Sequence, residues 1–437
     1  MAETTFHFDS THSQVDAKAL AISKKTLEAY IEDLRNLAAE GGYEASESSI
    51  CLPADAELRR NVLELVEIHR TEALKYILVI GIGGSNLGAM AITEALRGLS
   101  RWNNASSPEV LFADTVEPVM MESFKRLVTE KLNQPDEIAV CIISKSGGTT
   151  ETAANASVIV DALHSRWPQK ESHIIAITDE GSKLWDLAEK EDWGRISIPK
   201  TVGGRYSVLS AVGLVPLALA GFDIEQLHDG AKSMREPCLD PEVSPALQSA
   251  TVLNEQRLKG RNIHDLFVFR PQLESYGKWL RQLTGESVGK EFDLDGRSAH
   301  TGITPTVSVG STDLHSVGQL YLGGPRDKVT TFVYADPGMT LTLPANLVNQ
   351  LVAGLADRPI KDPLEAILDG TIEAYAKRAL PFMTVRLGQL SEFVMGELMQ
   401  WKMIETMLLA KLMNVNAFDQ PNVEEYKQIT RTLLESE

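Results

Sequence analysis

The sequence predicts an α/β protein built on two doubly wound parallel sheets, with helical segments at its N- and C-terminal ends. Three observations carry this reading. Short apolar runs alternate with helix-length amphipathic stretches twice, from residue 75 and again from residue 262. Two runs lead directly into glycine-rich loops, GIGGSNLG (81–88) and SKSGGTTET (144–152), where parallel α/β sheets bind ligands at strand carboxyl ends. Finally, 437 residues exceed what one core normally organises, so two domains are the default.

Taken in order, residues 1–70 read as an arm followed by amphipathic helices, including LEAYIEDLRNLAAE (27–40) and ELRRNVLELVEIHR (57–70). KYILVI (75–80) is a strand, LGAMAITEALRGL (87–99) a helix and EVLFAD (109–114) a strand. PVMMESFKRLVTEKL (118–132) has helical spacing and leads into EIAVCII (137–143), a β-branched run fit for a central strand. ESHIIAITD (171–179) supplies the next strand, and 208–260 is a helical zone. Alternation resumes with NIHDLFVFR (262–270), TPTVSVG (304–310) and DKVTTFVYAD (327–336), and residues 391–435 read as a long helical end. No low-complexity linker separates the halves, so tight packing between them is expected.

Composition narrows the function. Hydrophobic residues make up 43% and charged residues 23%, a globular balance. A formal charge of −18 opposes nucleic acid as partner, because phosphate backbones need basic surfaces, but it leaves room for a phosphorylated metabolite in a local pocket. Cys51, Cys141 and Cys238 are few and widely spaced, pointing to a reducing compartment without a disulfide framework. The N-terminus shows no secretory pattern, and the longest apolar stretch (208–222) is broken by Ser210 and Pro216 and too short for a bilayer. A cytoplasmic protein with no membrane partner is the expectation. Nine histidines lack ligand spacing such as H-E-x-x-H, so no metal and no other cofactor is expected.

SKSGGTTET is the most informative stretch. A glycine turn between strand and helix presents free backbone N–H groups at a helix N-terminus. Ser144, Ser146, Thr149 and Thr150 add hydroxyls and Lys145 adds charge, a donor density suited to a phosphate monoester. An ordinary strand-to-helix turn would need only Thr149 as N-cap. GIGGSNLG also lets backbone approach a ligand closely. Read as a dinucleotide fingerprint it departs at its sixth position, Asn86, although Asp114 stands about where a ribose-binding acid would.

GIGGSNLG, SKSGGTTET, GGRYSVLSAVGL (203–214), GESVGK (285–290) and AFDQPNVEEYK (417–427) occur in the order seen in glucose-6-phosphate isomerases, and the sequence resembles the short bacterial form of that family over nearly its whole length. The resemblance implies two sugar-isomerase (SIS) domains, and the chain divides accordingly into an N-terminal helical arm (1–60), a first SIS domain (61–240) and a second with C-terminal helices (241–437). It also implies a homodimer with a shared active site, and metal-free interconversion of glucose 6-phosphate and fructose 6-phosphate in glycolysis and gluconeogenesis.

The site residues follow from laying these motifs over the chain. Moving a carbonyl between carbons 1 and 2 needs one base that removes and returns a proton, and the family's base falls on Glu286, at the end of an expected helix over 272–283. Arg205 matches the arginine facing the enediolate, where a guanidinium offers donors that never lose their proton. Ring opening needs a group titrating near neutrality. His315, in the helix-like segment STDLHSVGQL (311–320), matches that role with Lys427 assisting, and His300 is the nearby decoy. Substrate contacts are implied at Gly84, Ser85, Gln282 and Gln420 besides the phosphate loop. The family's C-terminal motif usually has Gly where Asn422 stands. The competing readings are a SIS isomerase that also accepts mannose 6-phosphate, and a non-catalytic sugar-phosphate sensor. The latter normally carries a basic DNA-binding segment, which is not evident here.

Overall fold

The computed structural model describes residues 6–98, 107–168 and 173–435; the expectations for Leu99, Glu171 and Ser172 lie outside the described residues. The chain opens on strand β1 (Phe6–Asp9) and helices α1 (Ala17–Glu40) and α2 (Ala56–His69). It then alternates through β2 (Tyr76–Ile80), α3 (Leu87–Arg97), β3 (Glu109–Ala113), α4 (Pro118–Arg126), β4 (Ile138–Ile143), α5 (Thr150–Arg166), β5 (His173–Thr178), α6 (Lys183–Lys190) and β6 (Gly194–Ser197). Helices α7 (Ala211–Ala220), α8 (Ile224–Cys238) and α9 (Pro245–Leu258) follow. The second round comprises β7 (Ile263–Val268), α10 (Glu274–Val288), β8 (Lys290–Phe292), β9 (Ser298–Thr301), β10 (Thr304–Val309), α11 (Gly318–Gly323), β11 (Lys328–Ala335), α12 (Ala345–Leu351), α13 (Lys361–Lys377) and β12 (Phe382–Leu387). The chain ends on α14 (Glu392–Leu412) and α15 (Asn422–Glu435).

Two five-stranded sheets result, in the orders β3-β2-β4-β5-β6 and β1-β12-β11-β7-β10. Every pairing in the first is parallel. The alternation within β4 shows why its residues are apolar throughout. Ile138, Val140 and Ile142 enter the cluster under α4, α5 and α6, whereas Ala139, Cys141 and Ile143 enter the main core. Burial on both faces is what a parallel strand demands. The second sheet is divided likewise: Leu266 and Val268 face the main core, Phe267 and Phe269 the cluster with Leu368 and Tyr375 of α13. One continuous core, with α7, α8, α9, α10 and α14 between the sheets, joins the two halves.

Three expectations need correction. The second sheet is not wholly parallel, because β1, inside the segment expected to be a helical arm, pairs antiparallel with β12. Its FHFD alternation places Phe6 and Phe8 on one side, with ring centroids 5.3 and 5.8 Å from Trp401. The helix expected over 272–283 starts at Glu274 and runs on to Val288, so Glu286 lies in its last turn rather than beyond it. The long helical end is interrupted between Leu412 and Asn422, where Asn414 takes a left-handed φ of 57° and Pro421 precedes the last helix.

Helices α8 and α14 cross at glycines. A Cβ on Gly396 would lie 2.0 Å from the Leu227 carbonyl oxygen and 2.8 Å from the Ala231 nitrogen. Both are main-chain atoms of α8, which cannot rotate away. Gly396→Ala should therefore lower the unfolding free energy by about 3 kcal/mol, the upper end of ordinary overpacking. Gly370→Ala on α13, where a Cβ meets nothing within 4 Å, should be neutral or stabilising by about 0.5 kcal/mol. Urea denaturation of the two variants measures the contrast; equal effects would refute the backbone-contact account.

Candidate active site

Two loops at the carboxyl ends of β2 and β4 lie side by side on the first sheet. After β4, the Ser144 hydroxyl meets that of Thr149 at 2.9 Å, and the Gly147 N–H closes the turn on the Ser144 carbonyl at 3.0 Å. Thr149 holds the N-cap position of α5, yet its side chain makes no capping bond. The hydroxyl is turned towards Ser144, so the first N–H groups of α5 keep their positive potential for an anion. Ser144 is buried and Ser146 exposed, with the Ser146 hydroxyl accepting the Gly148 N–H at 3.4 Å. Lys145 is turned away from this turn: its ammonium donates to the carbonyls of Lys200 and Val202, and burial lowers its pKa.

After β2, the Gly83–Ser85 turn is packed against the turn that carries Gly204. A Cβ on Gly84 would lie 2.1 Å from the Gly204 carbonyl carbon, so main chain packs directly on main chain there. That contact is what the glycines of this loop serve. Ser207 reinforces it, its hydroxyl donating to the Gly204 carbonyl at 2.7 Å and lying 3.4 Å from that of Gly84. Asn86 is buried, and neither of its amide atoms has a partner among the described residues.

The loop that presses on Gly84 also presents Arg205, whose side chain is only 2% exposed. A guanidinium has five N–H donors, and each is taken. Nε donates to Ser287 Oγ at 2.9 Å. Nη1 donates to Glu286 Oε2 at 3.1 Å and to Gln420 Oε1 at 2.7 Å. Nη2 donates to the carbonyls of Ala417 and Asp419 at 2.7 and 3.1 Å. The other carboxylate oxygen of Glu286 accepts from Gln282 Nε2 at 3.1 Å, one helical turn earlier on α10. Glu286 retains 33% of its side-chain exposure, so a carboxylate fixed on two sides still faces solvent. The same Gln282 amide nitrogen would lie 2.9 Å from a Cβ on Gly83, which ties this cluster to the β2 loop.

The structure thus brings together Arg205, Glu286, Gln282 and Gln420, and sets Gly84 and Ser85 beside them. His315 and Lys427 are not brought in. His315 sits exposed in the turn after β10, which Asp313 holds by accepting the Val309 N–H at 2.7 Å and the Ser316 hydroxyl at 2.8 Å. Lys427, on α15, pairs with Glu424 at 2.7 Å. Neither has a hydrogen bond or ion pair to Glu286 or Arg205 among the described residues. His300 is exposed on β9, not in a loop. Sequence reasoning passed over Ser287, Lys290 and Asp419. The Lys290 ammonium donates to the Glu286 carbonyl at 2.8 Å and to Asp419 Oδ1 at 2.8 Å, and the ammonium is almost fully buried. The signal was present, since these residues lie within GESVGK and AFDQ beside those that were chosen.

Fold and site are those of an α/β enzyme acting on a phosphorylated small molecule: an anion loop at one end, and a carboxylate gripped by a guanidinium at the other. The chain belongs to the phosphoglucose isomerase family, whose sequence profile matches residues 67–437. It is 34% identical over 388 residues to the glucose-6-phosphate isomerase of Rubrobacter xylanophilus, covering 87% of each chain. It is 32% identical over 360 residues to a probable glucose-6-phosphate isomerase of Methanococcus maripaludis, covering 82% of this chain and 78% of that one. Among solved structures, a hypothetical protein from Thermus thermophilus superimposes with a TM-score of 0.83 at 31% identity, covering 98% and 99% of the two chains. A glucose-6-phosphate isomerase from Chlamydia trachomatis shares the fold, with a TM-score of 0.82 at 21% identity over 99% of this chain and 88% of that one.

The five-donor arrangement has a direct test. Arg205→Lys keeps the charge but offers three donors, so at least two of the five bonds are lost. Unfolding free energy should fall by roughly 2–5 kcal/mol. A chemical melt indistinguishable from wild type would show that those bonds contribute no stability.

Proposed function

We propose that this chain interconverts glucose 6-phosphate and fructose 6-phosphate, by opening the sugar ring and carrying one proton through a cis-enediol(ate). Family membership and the relatives named glucose-6-phosphate isomerase support the reaction. The observation that carries the mechanism is the double grip on Glu286, from Arg205 on one oxygen and Gln282 on the other.

The phosphate rests on the α5 N-terminus with the hydroxyls of Ser144, Ser146 and Thr149, and Ser85 approaches from the neighbouring loop. Lys145 acts at longer range while holding the approach to Gly203. Glu286 then takes the proton from carbon 2 and returns it to carbon 1, or the reverse. Because every donor of Arg205 is occupied, an enediolate oxygen gains a bond only by displacing an acceptor. Gln420, the exposed partner on Nη1, is the one that yields, leaving the guanidinium shared between Glu286 and the substrate. The chemistry needs no metal and no cofactor.

His315 opens the ring with help from Lys427. Its exposure and its separation from Glu286 in one chain fit a homodimer in which this segment serves the partner's site. Apolar side chains left largely exposed support an interface: Met339, Leu341, Leu347 and Leu351 in one stretch, Tyr426 and Ile429 on α15. We read the chain as an arm (1–60) and two SIS domains (61–240 and 241–437), the two five-stranded sheets supporting the latter pair. The net charge of −18 supports a small-molecule substrate rather than nucleic acid, and a cytoplasmic enzyme of glycolysis and gluconeogenesis is the consistent setting. No described helix is long and apolar enough to cross a membrane.

A coupled assay on both sugar phosphates tests the reaction itself. Glu286→Gln should cut kcat by about 10²–10⁴-fold while a phosphorylated sugar acid still binds, since the amide keeps shape and loses the base. Wild-type turnover in that variant would exclude Glu286 as the base.

His315 is tested with a four-carbon aldose 4-phosphate, which cannot close a ring. His315→Ala should slow glucose 6-phosphate turnover strongly, while solvent deuterium exchange into the four-carbon substrate falls far less. An equal fall in both rates would remove His315 from ring opening.

A further inference from the structure

The segment from Ala417 to Gln420 lies against the site as a strap, and two buried cations hold it. Arg205 takes the carbonyls of Ala417 and Asp419. Lys290 takes the same Asp419 carbonyl and the Asp419 carboxylate, and its third donor goes to the carbonyl of Glu286 at the end of α10. An ammonium has three donors, and all are spent on joining the helix that bears Glu286 to the strap that bears Gln420. The chain delivers Lys290 to this spot by closing α10 tightly, with the Gly289 N–H bonded to the Gly285 carbonyl at 3.0 Å, so that β8 begins directly beneath the last helical turn. Lys290 is buried although its carboxylate partner is half exposed, an arrangement that a surface ion pair does not require.

We propose that Lys290 is a positioning residue of the isomerase. Clasped to Asp419, it fixes the strap so that Gln420 and the Arg205 guanidinium stand in register with Glu286. It acts through groups it does not replace, and touches no substrate atom itself. The shared acceptor is the reason: the Asp419 carbonyl is bonded by both cations, so a strap released from Lys290 carries with it an acceptor of the Arg205 fork. The phosphate loops lie on the first sheet and have no hydrogen bond to the strap among the described residues. The proposal rests on the reading of Glu286 and Gln420 given above.

The test compares Lys290→Met with Asp419→Asn, the latter altering a half-exposed position and so leaving a folded protein to measure if the former proves unstable. Hydrogen–deuterium exchange of peptides spanning 415–422 should speed up in both variants. Steady-state kcat for fructose 6-phosphate should fall by up to about 10²-fold in Lys290→Met, the scale set by a small misplacement of reacting groups. Competitive inhibition by inorganic phosphate should be unchanged. In a Gln420→Ala background, adding Lys290→Met should cost clearly less than it does in the wild-type background, because part of its effect runs through Gln420. Unchanged strap exchange, or losses that multiply fully in the double variant, would overturn the proposal. A freed strap with wild-type kcat would overturn it as well. The underlying site reading fails separately, if Gln420→Ala and Glu286→Gln themselves turn over like wild type.

Discussion

The guanidinium of Arg205 is the fixed point on which the site depends. A charge buried in a protein must be paired and hydrogen-bonded or it destabilises the fold. Here the pairing is shared among three stretches far apart in sequence: the end of α10, the strap before α15 and the GGR turn that carries the arginine. Folding cannot bury Arg205 without bringing Glu286, Ser287, Ala417 and Gln420 to it. The site is therefore assembled as a consequence of satisfying one cation, and its geometry inherits the rigidity of the buried core around Tyr206 and Ser287.

In the proposed reaction this arrangement also decides when the guanidinium binds substrate most tightly. Gln420 Oε1 occupies a donor that an oxyanion would otherwise claim, as a neutral stand-in that forms a weaker bond than a charged oxygen would. Displacing it trades a neutral acceptor for an anionic one, a gain largest when negative charge has developed on the substrate. Binding energy realised late in the reaction raises turnover rather than ground-state affinity.

Much of this was legible in the sequence, for reasons that differ by element. The central strands of the first sheet could be read because parallel strands buried on both faces are apolar without interruption, as in YILVI and IAVCII. The phosphate turn could be read because glycine, serine and threonine crowd between strand and helix. The edge elements could not. Four residues of FHFD carry too little periodicity to stand out, and β1 exists because Trp401, nearly four hundred residues on, supplies the surface for its phenylalanines. Lys290 and Asp419 lay in motifs already singled out, yet lysine and aspartate in a turn read as solvated surface. Only tertiary burial turns them into a clasp. His315 and Lys427 belong to segments whose neighbours within one chain do not include Glu286, so no reading of local pattern could place them there.

In the proposed reaction the two sheets divide the work. Anion donors belong to loops of the first sheet, while the carboxylate belongs to α10, which packs on Val307 of β10 in the second. Side chains could join such halves, but side chains rotate. Arg205 cannot: the turn that carries it is pressed on Gly84 by backbone contact, and its five hydrogen bonds tie it to Glu286, Ser287 and the strap. Backbone in van der Waals contact cannot slide without breaking the packing of β2 and α10, both buried in one core. In the proposed reaction the span between phosphate loop and Glu286 is therefore held by Arg205 and the packing beneath it, as a substrate's covalent frame holds its phosphate and its reacting carbon. In the proposed reaction the backbone contact thus holds the turn that carries Arg205, and Arg205 with its partners sets the geometry at the reacting carbons.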